Sequence, residues 1–142
     1  DDPSRKQELV EHKSGDDNWL LELKPCDHPQ VDVCSGSDAY TPVYNVDDSG
    51  GSQSGQIFGG EQTAGSKQVL VGTYDGSEYT LYVDGEATNT GSYSGPISMG
   101  DMNIAKDIES NRDYFDGDIY EIRLYYTAFD GKQVEVITEA MS

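Results

Sequence analysis

The sequence predicts an all-β fold of antiparallel strands followed by one short C-terminal helix. Apolar and polar residues alternate with a period of two in several segments, and helical periodicity is nearly confined to the C-terminus. Ten tyrosines supply large side chains that suit a pleated sheet. Because 142 residues are enough for one hydrophobic core of ordinary size, we expect a single domain spanning residues 1–142.

The clearest strand pattern lies in residues 67–86, KQVLVGTYDGSEYTLYVDGE. Two alternating runs flank the turn residues Asp75 and Gly76, and Asp84 and Gly85 begin a second tight turn, so this segment predicts two consecutive hairpins. Further strands are predicted at residues 8–12, 18–24, 30–34, 56–59, 102–106 and 115–127.

The remaining segments are a loop and a helix. Residues 47–65 are rich in glycine and serine, which predicts a surface loop with one short apolar pair inside it. Residues 130–141 predict a helix that begins after Asp130 as its N-cap. Three apolar residues share one side of this helix: Val134, Ile137 and Met141.

Negative charge is the dominant feature of the composition. The chain has 27 acidic and 9 basic residues, a formal net charge of −18 and a pI near 4.1. Nucleic acids and anionic membranes are bound by clustered cations, and here the cations are scattered, so nucleic acid is excluded as a partner. At about 1 M salt the Debye length falls to roughly 3 Å and self-repulsion is screened. The charge favours a protein of very salty water, with an ordinary acidic extracellular protein as the alternative.

No apolar run is long enough to cross a bilayer, so we expect no direct membrane insertion. The only two cysteines, Cys26 and Cys34, are close enough in sequence for a disulfide that closes a short loop. Such a bridge indicates an oxidising compartment outside the cell. The alternative is a zinc site that includes His28 and His12, although their spacing does not match a paired-ligand knuckle.

Residues 71–86 (VGTYDGSEYTLYVDGE), residues 102–129 (MNIAKDIESNRDYFDGDIYEIRLYYTAF) and the closing helix resemble, in this order, the laminin-G-like family of concanavalin A-like domains. Residues 8–23 are similar to the hairpin that follows the first core strand of that family. The resemblance implies an antiparallel jelly-roll β-sandwich that serves recognition. It implies binding of a glycan, or of a cell-surface or virion protein, in an extracellular or cell-surface location.

The chain departs from the family pattern in two ways. It begins after the aromatic-rich opening strand that the family lays beside its final strand. We therefore expect either a strand supplied by another chain or an upstream fragment, or a rebuilt segment at residues 1–10. In addition, Tyr120 stands where relatives place an acidic residue beside Glu121, so a calcium role at that position is not carried over.

Lectin-like sandwiches bind at loops on one rim, where sugar recognition uses aromatic faces and planar hydrogen-bonding groups. The candidate ligand-binding residues of this chain are Tyr93, Asn111, Arg112 and Tyr114. A candidate calcium site on the same rim consists of Asp107, Asp113 and Asp116, with an ordinary solvated acidic surface as the alternative. We expect no other cofactor.

Catalysis is not expected. The spacing of Asp116, Asp118 and Glu121 imitates the carboxylates of retaining glucanases, but Asp116 belongs to a turn and Trp19, the only tryptophan, cannot build a tryptophan-rich cleft. The chain has two histidines and no nucleophile elbow. The sequence therefore predicts a non-enzymatic recognition or adhesion module, with a structural subunit of a virion or surface appendage as the alternative and a glycoside hydrolase as a third reading.

Overall fold

A computed structural model describes residues 6–14, 17–35, 39–47, 55–97, 100–106 and 114–142. Within these ranges it contains strands and one short helix, and the all-β prediction is confirmed. The elements in chain order are β1 (Gln7–Ser14), β2 (Asp17–Pro25), β3 (Ala39–Asp47), β4 (Gln56–Phe58), β5 (Gln62–Thr63), β6 (Leu70–Tyr74), β7 (Glu78–Val83), β8 (Glu86–Ser92), β9 (Met102–Ile104) and α1 (Gly131–Met141).

The strands form two antiparallel sheets. The first sheet has the order β4-β3-β2-β1-β9, and β5 extends it beside β3. The second sheet has the order β6-β7-β8 and consists of the two predicted hairpins. Gly76 (φ 101°) and Gly85 (φ 89°) supply the left-handed backbone that these tight turns need, so both turn predictions are confirmed.

The two sheets pack face to face. Side chains alternate along β2, and its odd-numbered residues face the second sheet, with Trp19 only 7% exposed. Tyr44 on β3 meets Tyr79 on β7 edge to face, with 5.8 Å between ring centroids. Leu81, which is fully buried, lies in the same cluster. The core is therefore a layer of aromatic and branched side chains between the sheets.

Helix α1 begins with a capping box. The Asp130 carboxylate accepts a hydrogen bond from the Gln133 amide at 3.0 Å, and the Gln133 side chain accepts one from the Asp130 amide at 3.0 Å. Val134 and Thr138 face inward and are buried. The predicted helix and its N-cap are confirmed. No helix in the described part of the chain has the length and apolar character needed to span a membrane.

Two strand predictions are wrong and one long strand was missed. Residues 30–34 form a loop, because the amides of His28 and Val31 donate to preceding carbonyls and turn the chain. Residues 115–127 carry no strand, although their composition is typical of one. The missed strand is β3, which lies near the middle of the first sheet.

Candidate functional site

In the part of the chain that the structure describes, an open groove of about 1310 Å³ lies between the two sheets. Its floor is the inner face of β1 and β2, one wall is β6, and the other wall is residues 115–129, here called the C-terminal arm. Among the described residues the second sheet has three strands and the first has six, and part of the inner face of the first sheet lines the groove.

The floor of the groove is apolar. Leu9, Leu21 and Leu23 line it and are only half-buried, although β2 is the central strand of its sheet. By contrast, Val46 is 1% exposed and Ile57 is 6% exposed, and both belong to the core cluster that includes residues of β7. The apolar side chains of the first sheet are therefore fully buried where β7 covers them and only half-buried where they line the groove.

The arm wall is apolar and exposed. Ile119 is 37% exposed, Leu124 43% and Tyr120 75%. Only Ile122 of this stretch packs against the core cluster as a partly buried side chain. At one end the arm approaches the start of β6, where the Lys67 ammonium lies 5.7 Å from the centroid of the Tyr120 ring.

The charged groups of the arm do not form an acid–base pair. Arg123 Nε donates to Glu121 Oε1 at 2.6 Å, and this hydrogen bond lowers the pKa of Glu121. A retaining glycosidase needs a carboxylic acid with a raised pKa. Asp116 and Asp118 are exposed, and the Asp116 amide donates to the Gln7 side chain at 3.2 Å. Glu121 is therefore paired with a cation, and Asp116 lies beside the side chain of Gln7 on β1.

A second polar feature lies on the opposite face of the first sheet. Glu8, Glu22 and Lys24 alternate with the core-facing residues and point away from the second sheet, yet each is at most 1% exposed. Lys24 Nζ is 3.2 Å from Glu22 Oε1 and donates to Gln30 Oε1 at 2.8 Å and Gln56 Oε1 at 2.6 Å. We call Glu8, Glu22 and Lys24 the outer-face cluster.

Burial controls the protonation of this cluster. Loss of solvation, reinforced by the charge of Glu22, raises the pKa of Glu8 to about 8, despite a hydrogen bond from Lys6 at 2.8 Å. Burial also lowers the pKa of Lys24, against the attraction of Glu22. A carboxylic acid with a raised pKa is a candidate proton donor, but Glu8 is fully buried and does not line the groove. The cluster is therefore a structural ion network.

The predicted rim site is only partly described. Asn111 and Arg112, and the proposed calcium ligands Asp107 and Asp113, lie outside the described residues. The two described aromatic residues behave differently. Tyr93 packs its ring against Tyr74 at 5.7 Å between centroids and donates to the Pro96 carbonyl at 3.4 Å, so it helps to cover the core. Tyr114 is 56% exposed.

Cys26 and Cys34 form the disulfide that their spacing predicts, with 5.3 Å between their Cα atoms. Among the described residues, the one cluster able to hold a metal ion consists of these two cysteines and Glu61. The disulfide removes both thiolates, which are the ligands zinc would need. His12 Nδ1 instead donates to the Asp101 carbonyl at 2.7 Å, and His28 Nδ1 accepts from the Gln30 amide at 3.3 Å.

Sequence reasoning expected a missing strand beside residues 115–127, but it located neither the groove nor the outer-face cluster. The strand predicted at residues 18–24 is confirmed by β2, but that prediction does not say that Glu22 and Lys24 are buried. Their burial depends on contacts from distant segments, such as the side chains of Gln30 and Gln56. The sequence signal that points to the groove is the strand-like pattern of the arm, because a strand-like segment without a partner leaves a gap beside it.

The family comparison agrees with the fold. Residues 2–135 match the family model described as the concanavalin A-like lectin/glucanases superfamily, in its third laminin G group. No curated protein matches the sequence. A crystal structure of residues 221–444 of an S-layer domain-containing protein from Clostridium thermocellum is similar at 16% identity with a TM-score of 0.49, and the alignment covers 95% of this chain. The chain spans 64% of that structure, slightly less than two thirds.

The family match covers nearly the whole sequence, and the chain therefore belongs to the laminin-G-like domains of the concanavalin A-like lectin/glucanase superfamily.

Proposed function

We propose that this chain is a non-enzymatic recognition module that acts outside the cell, on a cell surface, an appendage or a secreted protein. The observation that carries the proposal is the groove of about 1310 Å³ with its apolar floor and exposed arm. Sites for small molecules are usually cavities of about 300–1,000 Å³ that enclose the ligand. A larger open groove suits a segment of a macromolecule.

The location outside the cell is supported by the disulfide between Cys26 and Cys34, since disulfides persist in oxidising compartments. The proposal of a non-enzymatic role is supported by the positions of two carboxyl groups that could be considered as catalytic acids. Glu121 is held ionised by Arg123, and Glu8 is buried away from the groove. Both arrangements are suited to stability, and neither presents a proton donor to a substrate.

A glycan is the second candidate ligand, and its site is the rim predicted from sequence. The observation that favours it is Tyr114, whose ring is 56% exposed at the edge of the described region. Exposed aromatic faces stack on sugar rings, while the neighbouring amide and guanidinium groups of Asn111 and Arg112 offer directional hydrogen bonds. The structural-subunit alternative uses the groove as an assembly contact in place of a reversible binding site.

Trp19 provides a direct test, because it is the only tryptophan and lines the groove. Titration with a soluble polysaccharide and, separately, with extended peptides should shift its emission when the groove is occupied. The variant Leu124→Asp should abolish the shift, whereas Val136→Asp, on the exposed side of α1 and outside the groove, should preserve it. Rim binding of a glycan should instead respond to Tyr114→Ala. If no ligand of either class binds, the proposal fails.

A further inference from the structure

We propose that the groove is a strand-acceptor site, in which an extended polypeptide with alternating apolar side chains and no net negative charge lies between β6 and the C-terminal arm and continues the second sheet. The inference rests on the groove being the recognition site proposed above. It specifies the ligand as a polypeptide backbone.

The first wall is an open sheet edge. Strand β6 pairs with β7 on one side and with no other strand of the described residues. Its sequence, LVGTY, contains neither a charged residue nor proline, which are the usual devices that block strand addition at an edge. The edge of β6 is therefore open to pairing with a further strand.

The second wall is a strand-like segment without a sheet. Residues 118–126 (DIYEIRLYY) are rich in the branched and aromatic residues that favour strands. Within the described part of the chain, no backbone-to-backbone hydrogen bond involves residues 116–128. Backbone amides and carbonyls of such a segment are satisfied either by water or by a neighbouring strand. The exposure of Leu124 and Tyr125, each 43%, shows that this segment has no close cover.

The floor requires a covering of apolar side chains. Leu9, Leu21 and Leu23 are half-buried at the centre of the first sheet, directly below the gap. A strand laid over them points every second side chain down onto these leucines and the others to solvent. Burial of each such apolar side chain contributes favourably to binding. The occupant should therefore alternate apolar and polar residues.

Length and charge restrict the occupant further. Strand β6 has five residues, so a partner of about five to eight residues, at roughly 3.3 Å each, spans the groove. Asp116, Asp118 and Glu121 lie along the arm, and the whole chain carries −18. An acidic peptide is repelled by this field, while lysine or threonine on the outward face is tolerated.

Hydrogen exchange measured by mass spectrometry tests the proposal, because strand addition protects backbone amides and side-chain binding alone does not. The probe is a capped peptide of about eight residues in which valine alternates with lysine and threonine. The control has the same composition with the valines grouped together. Gln7 lines the groove, so the same peptides are also fused ahead of the N-terminus through a glycine–serine linker, which raises the effective concentration to about the millimolar range.

We expect the alternating peptide to slow exchange in both residues 70–74 and residues 117–126, and the grouped control to leave both unchanged. Leu124→Asp should weaken the binding of the free peptide by about tenfold or more, while Val136→Asp should change it less than about twofold.

Three results overturn the inference. Residues 117–126 could be protected in the chain alone at every concentration, which means that the sheet is already closed. Their protection could rise with chain concentration, which identifies a second copy as the occupant. Polysaccharide could shift Trp19 emission while neither the free nor the fused alternating peptide protects the amides, in which case the groove is a recognition site but not for a strand. If nothing shifts Trp19, the proposed function also falls.

Discussion

Glu8 and Glu22 lie directly opposite each other on β1 and β2, and Lys6 approaches both carboxylates. Its Nζ atom is 2.8 Å from Glu8 Oε1 and 3.8 Å from Glu22 Oε2. Two buried carboxylates opposed across a sheet repel each other when both are ionised. The proton on Glu8 relieves that repulsion, so the stability of this face depends on pH.

Glu8→Gln should make the protein more stable in alkaline solution. The pKa of Glu8 is raised to about 8 in the folded state from an ordinary value of 4.5. The folded state therefore binds this proton more tightly, and the stability it contributes is lost as pH rises through about 8. Glutamine imitates the protonated acid at every pH, so the gain should be on the order of 1–2 kcal/mol at pH 9 and smallest near pH 4.5.

Urea denaturation at several pH values measures this difference. Glu86→Gln is the matched control, since it removes the same charge from an exposed position on β8. If both variants show the same pH dependence as the unmodified chain, Glu8 does not hold a proton in the folded state.

Removing the buried cation should be far more harmful than removing an exposed one. Lys24→Met leaves Glu22 without its 3.2 Å partner in a site where both side chains are 1% exposed, so the free energy of unfolding should fall by about 3–5 kcal/mol. Arg123→Met breaks the 2.6 Å pair with Glu121 on the exposed arm and should leave the free energy of unfolding almost unchanged, because solvent screens exposed ion pairs. Thermal melts of the two variants provide the comparison, and equal losses would contradict the structural role of the outer-face cluster.

The Cys26→Ser, Cys34→Ser double variant should lose about 2.5 kcal/mol of unfolding free energy, because the bridge restricts a short loop in the unfolded chain. The same loss should appear when reductant is added to the unmodified protein. The double variant itself should not respond to reductant. Labelling of both cysteines by an alkylating reagent in protein that was never reduced would show that the bridge is absent.

How well the sequence predicts each part depends on whether the cause is local. The turns at Gly76 and Gly85 and the cap at Asp130 were predictable because the residues that determine them are adjacent in sequence. Strand β3 was missed, and its Pro42 is a residue that argues against a strand in a sequence pattern. In the structure Pro42 lies between the residues paired with β4 and those paired with β5, a position where proline is tolerated.

The two features that sequence reasoning did not find are non-local. Burial of Lys24 depends on Gln30 and Gln56, which come from other segments of the chain. The strand pattern of residues 115–127 shows that the segment favours an extended conformation, but it does not show whether a partner strand is present. The composition of the arm was therefore correctly identified as strand-like, and its pairing was not predictable.

The last prediction concerns salt. A net charge of −18 on a chain of 142 residues should oppose folding when the charges are unscreened, and reducing the ionic strength from about 1 M to about 10 mM lengthens the Debye distance from roughly 3 Å to 30 Å. We expect the melting temperature, followed by circular dichroism, to fall steadily on dialysis from molar potassium chloride into dilute buffer. A neutral osmolyte should raise the melting temperature by a similar amount at both ionic strengths and leave the difference between them in place, because exclusion from the surface does not screen charge. Replacement of the exposed carboxylates Asp32, Glu61 and Glu86 by their amides should flatten the dependence. A melting temperature that is the same at both ionic strengths would rule out adaptation to brine and leave the alternative of an ordinary acidic extracellular protein.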